Sequence, residues 1–196
     1  CTWYHQVQRA DRSYVYVNDG YNEVPFYDGD NDFTIGWAGP GSSFNLYRNG
    51  EKVVLKPHGD VNYIWSSLSP DQTMILFNTK FGTAVCDLNG KEIINVGNVN
   101  APVWFGNDYI VGMNDQHDGY YFTSSNIVIA SVDGSERQEL TDPEEMGYYP
   151  DVDAKSGRIV YHTEKGQIRL MQLNLTEEPV RTNLPRLLQK PDGTLL

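Results

Sequence analysis

The chain is short of basic residues. Its 196 residues carry 15 Lys and Arg against 26 Asp and Glu, a formal net charge of −11. An acidic surface repels phosphate backbones. The densest basic stretch, 181–190 (RTNLPRLLQK), holds three cations and reads as a solvated tail or a closing strand. Nucleic acid is therefore not expected as a partner. Long apolar runs are missing too. Nothing approaches the roughly 20 residues of a membrane-spanning helix, so the chain is not expected to span a membrane. No signal peptide is visible, which reads as a soluble or already processed chain. Cysteine is scarce, with only Cys1 and Cys86. The two could pair, but Cys86 sits in an apolar run and suits the role of a small buried hydrophobe. A first-residue Cys is what a processed bacterial lipoprotein carries, with lipid on that Cys; a chain boundary accounts for it as well. There is no G-x-S-x-G elbow and no glycine-rich phosphate loop, so no nucleophile or nucleotide motif is available.

What the chain does have is turn formers and aromatics. Hydrophobic residues make up 39% and charged residues 21%, a globular composition. The aromatic share is 12%, with 13 Tyr, beside 18 Gly and 10 Pro. That mixture favours an all-β protein. The stretch 68–79 (LSPDQTMILFNT) reads as a Ser-Pro-Asp turn leading into a strand. It recurs in degraded form at 104–114 (WFGNDYIVGMN) and 152–163 (VDAKSGRIVYHT). Each copy has an apolar anchor, a polar turn and then Ile75, Ile110 or Ile159 at the heart of a strand. Two residues before the anchors stand Ser66, Pro102 and Pro150.

A second element keeps step with the first. Asn49-Gly50, Asn89-Gly90 and Asp133-Gly134 lie between alternating apolar residues and suit the positive φ angles of a type I′ hairpin turn. Phe44/Leu46, Ala84/Cys86/Leu88 and Val128/Ala130/Val132 precede them with the period of two of strands that bury one face. Asn89 follows Asn49 by 40 residues, and Asp133 follows Asn89 by 44. These spacings match the roughly 40–45-residue, four-stranded blade of a β-propeller.

Here the sequence resembles the TolB-like (WD-type) β-propeller repeat family of exported bacterial proteins, whose repeat has a W-S-P-D-G turn, a strand and a hairpin closing on D-x-D-G. Residues 102–141 are the fullest copy, and 148–175 are a third that lacks the final Asp-Gly turn. Gln72 stands where the repeat has Gly, and the second copy has lost the Pro-Asp pair. The likeness is good over 60–180 and weak before that, where 14–27 reads as a hairpin turning at Asp19-Gly20. The whole chain, 1–196, is expected to form one propeller domain. Residues 1–59 would be divergent blades and 181–196 a tail or closing strand. At about 42 residues per blade this gives four to five blades' worth, complete or not.

The resemblance implies binding at the mouth of the central channel. It also implies that the residues leading into each innermost strand crowd that rim: Trp65, Ala101 and Tyr149, with Tyr63 and Tyr148 beside them. Aromatics there would stack on a sugar or anchor a peptide, or else pack between blades. Trp104, at the anchor itself, is expected in the core. Asp28, Asp30 and Asp32 alternate in a Gly-containing loop and could offer calcium three oxygen ligands, but Phe33 and Ser43 stand where an EF-hand needs Gly and Glu. A plain turn is the preferred reading, with no cofactor. Of His5, His58, His117 and His162, no two have the helical spacing of a metal pair. His117 falls in 114–121 (NDQHDGYY), which reads as a loop between two strands of one blade.

The expected function is a non-catalytic module, exported to the periplasm or cell surface, that recognises a protein or a glycan. The alternative is the propeller part of an enzyme. TolB-like propellers include oligogalacturonate lyases, which use a His cluster with a metal, and similar propellers gate substrates in peptidases whose catalytic triad lies in a separate domain.

Overall fold

The computed structural model describes residues 4–8, 14–18, 33–36, 43–48, 51–175 and 188–189. Contacts divide the chain into two compact units, 1–93 and 94–196. Among the described residues all regular structure is strand, apart from one turn of 3-10 helix.

The first unit holds β1 (Tyr4–Gln8), β2 (Tyr14–Asn18), β3 (Phe33–Gly36), β4 (Phe44–Arg48), β5 (Glu51–Leu55), β6 (Ile64–Leu68), β7 (Met74–Thr79) and β8 (Gly82–Asp87). Every pairing is antiparallel: β1 with β2, β3-β4-β5 in order, and β6-β7-β8 in order. Tyr14–Asn18 thus pairs back onto Tyr4–Gln8. The hairpin expected to turn at Asp19-Gly20 lies outside the described residues. Phe44, Leu46, Leu55, Tyr63, Ile75, Phe77, Ala84 and Cys86 form the unit's core.

The second unit holds β9 (Ile94–Gly97), β10 (Asn100–Phe105), β11 (Tyr109–His117), β12 (Phe122–Ser131), β13 (Arg137–Glu139), the 3-10 turn Pro143–Glu145, β14 (Gly147–Asp153), β15 (Arg158–Thr163), β16 (Ile168–Gln172), β17 (Asn174–Leu175) and β18 (Leu188–Gln189). Here β10-β11-β12-β13 make a four-stranded sheet, the full copy of the repeat, and β14-β15-β16 a three-stranded one. The third copy lacks the Asp-Gly turn that would lead to a fourth strand. Ile127, Ile129, Val111 and Tyr109 pack with Tyr148, Ile159 and Tyr161 in one core.

Two expectations need correction. The middle strands do not bury one face and expose the other. Ile75, Leu76 and Phe77 are fully buried in succession, as are Ala84, Val85 and Cys86, and Ile127 through Ala130 are buried too. A strand covered on both faces reads as a continuous apolar run, so alternation counted only half of each core strand. Nor are the hairpin turns type I′, which needs positive φ at both central residues. Only Gly90 (φ 69°) and Gly134 (φ 72°) are left-handed; Asn89 and Asp133 are not. The turns close at the glycine itself, through Gly90 N–H to Asp87 O and Gly134 N–H to Ser131 O, each 3.0 Å. This is the longer hairpin loop that ends on a left-handed residue. Asn49-Gly50 lies outside the described residues.

Side chains finish these turns. The Asp87 carboxylate accepts from the N–H groups of Asn89 (3.1 Å) and Lys91 (2.6 Å). In the Ser-Pro-Asp turn, Ser69 Oγ donates to Asp71 (2.6 Å) and accepts from Met74 N–H (3.0 Å). Gln72 takes φ 59°, a left-handed conformation that glycine adopts without strain.

Candidate functional site

The first strands of three sheets, β6, β10 and β14, share one irregularity. In β6, Ile64 pairs with Asn78 and Ser67 with Leu76, so Trp65 and Ser66 together face Phe77. In β10, Asn100 pairs with Met113 and Val103 with Val111, so Ala101 and Pro102 face Gly112. In β14, Tyr148 pairs with His162 and Asp151 with Val160, so Tyr149 and Pro150 face Tyr161. Each is a β-bulge, two residues against one, a device that bends a strand and re-aims a side chain. The first residue of each bulge is left-handed: Trp65 at φ 52°, Ala101 at 44° and Tyr149 at 46°. A non-glycine residue held there costs on the order of 1–3 kcal/mol.

The four expected rim residues divide. Tyr63 is buried in the core of the first unit, edge-on to Phe44 at 5.3 Å. Its hydroxyl accepts from His58 N–H (2.7 Å) and donates to Gly59 O (3.0 Å). Burial holds the Tyr63 phenol above its usual range. Tyr148 is buried in the core of the second unit. By contrast, Trp65 is 40% exposed and Tyr149 54% exposed. Tyr63 and Tyr148 fill cores, and the exposed pair sits at equivalent bulges. Ala101 is buried, and Trp104 is half-buried with its indole N–H enclosed and unpartnered.

In the second unit the Tyr149 bulge continues into an aromatic strip. Phe122 meets Tyr148 at 5.3 Å, Tyr148 meets His162 at 5.6 Å, and His162 stacks on Tyr149 at 5.7 Å with 19° between planes. Beyond Phe122 lies the tip of the β11–β12 hairpin, where Tyr120 is 92% and Tyr121 77% exposed. The loop expected over 114–121 is much shorter than the sequence suggested. Strand β11 runs to His117, and only 118–121 turn. Polar cross-strand pairs carry the ladder past the apolar run: Asn114 Nδ2 donates to Asn126 Oδ1 (3.2 Å), and Asp115 stands opposite Ser125. Sequence reading passed over Tyr120, Tyr121 and Phe122 as a surface. Their signal is three aromatics directly after Asp118-Gly119, where a turn usually carries polar residues.

Among the described residues no group of three or more His, Cys, Asp or Glu is placed to hold a metal ion. His58 accepts or donates at Nδ1 to Thr79 Oγ1 (3.1 Å) inside the first unit, and burial lowers its pKa. Asp28, Asp30 and Asp32 lie outside the described residues, as does Cys1. Cys86 is a free, fully buried thiol, and burial pushes its pKa up to about 12.

No protein-family model and no curated protein matches the sequence. Solved structures do match. The tricorn protease aligns over 94% of this chain and 18% of its own, with a TM-score of 0.56 and 15% identity. An ancestral GH74 enzyme aligns over 85% of this chain and 25% of its own, with a TM-score of 0.52 and 12% identity. An oligogalacturonate lyase in complex with manganese aligns over 98% of this chain and 58% of its own, with a TM-score of 0.51 and 15% identity. The chain thus spans less than two thirds of each of these proteins. At such identities the likeness is one of fold, and with the antiparallel all-β sheets it shows that the fold is of the β-propeller type.

Proposed function

We propose that the chain is a non-catalytic binding module that recognises a protein or glycan through aromatic side chains set on the first-strand bulges. The observation that carries this reading is the exposure of Trp65 and Tyr149 at equivalent bulge positions, while their neighbours Tyr63 and Tyr148 are buried. Large aromatics lose little conformational entropy on binding and dominate hot spots. An exported setting rests on the TolB-like resemblance.

The second reading is the propeller portion of an enzyme. The structural neighbours favour it, since a protease, a GH74 enzyme and a lyase are all larger proteins that this chain matches in part. Binding to glycan and peptide arrays separates the two. The module reading expects a ligand whose capture falls in Trp65→Ala or Tyr149→Ala with the melting temperature kept. Metal-dependent depolymerisation of a polysaccharide by the wild-type chain would reject it in favour of the enzyme.

A further inference from the structure

The hairpin tip of the second unit is built to stay in place. Asp118 Oδ1 accepts from the N–H groups of both Tyr120 and Tyr121, each at 2.8 Å, and Asp118 N–H donates to Tyr121 O at 3.1 Å. Tyr120 and Tyr121, the most exposed tyrosines among the described residues, therefore ride on a hydrogen-bonded turn. A fixed platform loses less freedom on binding than a loose one. Phe122 joins this tip to the strip that ends at His162 and Tyr149, with buried Tyr148 as its floor.

We propose that this tip and the Tyr149 bulge together bind a neutral oligosaccharide, with sugar rings lying on the exposed aromatic faces and hydroxyls meeting the exposed Glu164 carboxylate. The proposal rests on the binding-module reading and names its ligand. Pyranose rings present apolar C–H faces and a polar hydroxyl rim, and aromatic side chains present an apolar body beside a polar tip. The charges that bear on Tyr148 are those of Glu164 and Asp115, which reinforce burial in raising its pKa. Such a field repels phosphates and uronates and accepts hydroxyl donors. A cationic ligand would call for rings that enclose the ion. These rings instead form a chain of pairwise contacts, Phe122 to Tyr148 to His162 to Tyr149, at 5.3, 5.6 and 5.7 Å, whereas a protein partner takes about 800 Å² per side.

Affinity electrophoresis of the 196-residue chain through gels containing xyloglucan, mixed-linkage β-glucan or galactomannan tests this. Polygalacturonate serves as the anionic control and a labelled Lys/Arg-rich peptide as the cationic one. The expected result is retardation by at least one neutral polysaccharide and none by polygalacturonate. Tyr121→Ala and Tyr149→Ala should each weaken it about tenfold or more, the size of a modest hot spot. Tyr120→Ala and Tyr121→Ala remove exposed side chains, so an unchanged melting temperature separates lost binding from lost fold. No retardation by any of the three overturns the proposal, as does retention by polygalacturonate or the basic peptide alone, or equal retention of the tyrosine variants. If Trp65→Ala abolishes capture of an array ligand while the three tyrosine variants keep it, the module reading stands and the glycan strip is rejected. If the wild-type chain captures nothing on any array, both fall.

Discussion

Gly112 offers the sharpest test of the bulge geometry. It stands alone opposite Ala101 and Pro102, where the other two sheets place Phe77 and Tyr161. A Cβ on Gly112 would run into Val99 Cγ1 and lie 2.7 Å from the Asn100 carbonyl oxygen. Carbon atoms pack best at about 3.5–4.0 Å, so both contacts are deep in the repulsive wall. Neither neighbour yields easily. Val99 is fully buried and β-branched, with few rotamers to escape into. Its N–H is also held by Gly97 O at 3.0 Å. Overpacking of this kind costs about 1–3 kcal/mol, and two simultaneous clashes argue for the upper half. For a chain of this size, roughly 2–4 °C is lost per kcal/mol. Gly112→Ala should therefore lower the calorimetric midpoint by about 4–12 °C. Gly106→Ala is the control. Gly106 has φ 68° and open space within 4 Å, so it isolates the conformational term of roughly 1–2 kcal/mol. A Gly112→Ala midpoint within 1–2 °C of wild type, or a smaller loss than Gly106→Ala, would refute the close approach of β10 to β11 (roughly the resolution needed on the scale above).

Tyr63→Ala should cost about 3–5 kcal/mol in urea unfolding, as buried aromatic deletions do, and Trp65→Ala markedly less; equal losses would contradict their different burial. Hydrogen bonds from the Ser131 and Ser135 hydroxyls and Ser135 N–H hold Asp133 down at about 2 in the fold, against an ordinary 3.8. A depressed carboxylate stabilises the fold above its unfolded pKa and stops doing so as pH falls through the folded one. Melting temperature should accordingly hold above about pH 4 and drop toward about pH 2, with Asp133→Asn shallower; a flat profile over that window would count against the turn geometry. Cys86 should resist iodoacetamide in the folded protein and react only after denaturation, read by mass on its peptide; labelling at neutral pH without denaturant would mean that β8 is not buried.

The repeat was legible because turns announce themselves. Asp87, Asp71 and Asp153 use short side chains to accept turn N–H groups, and such residues are conspicuous between apolar runs. Strand existence followed from the same punctuation. Burial did not, because a strand sandwiched on both faces has no period to read: Leu76 and Val85 look like the polar-facing half of an alternation and are fully buried. The rim was half legible. The repeat located Trp65, Ala101 and Tyr149 at one structural position, yet nothing in sequence separates an aromatic that fills a core from its neighbour that faces water. The hairpin tip was passed over for a different reason: the polar run from Asn114 to His117 looks like a loop, and only cross-strand pairing makes it strand.

The bulges also show which property marks a site. All three hold a left-handed residue, and strain of that kind is often taken as a sign of function. Ala101 argues against that reading here, because it is as strained as Trp65 and Tyr149 but buried and without a functional side chain. The strain therefore belongs to the backbone of the repeat: it is what lets the first strand of a sheet bulge against its neighbour, whatever side chain it carries. Function must lie in what the fold leaves free, namely the side chain placed at that position and its exposure. On that criterion the second copy's bulge is structural, since its alanine is buried and Gly112 draws the strands together. The first and third copies present Trp65 and Tyr149 to solvent, and among the described residues the third continues into a surface within its own unit, through His162 to the hairpin of the copy before it. A search for ligand contacts should begin there.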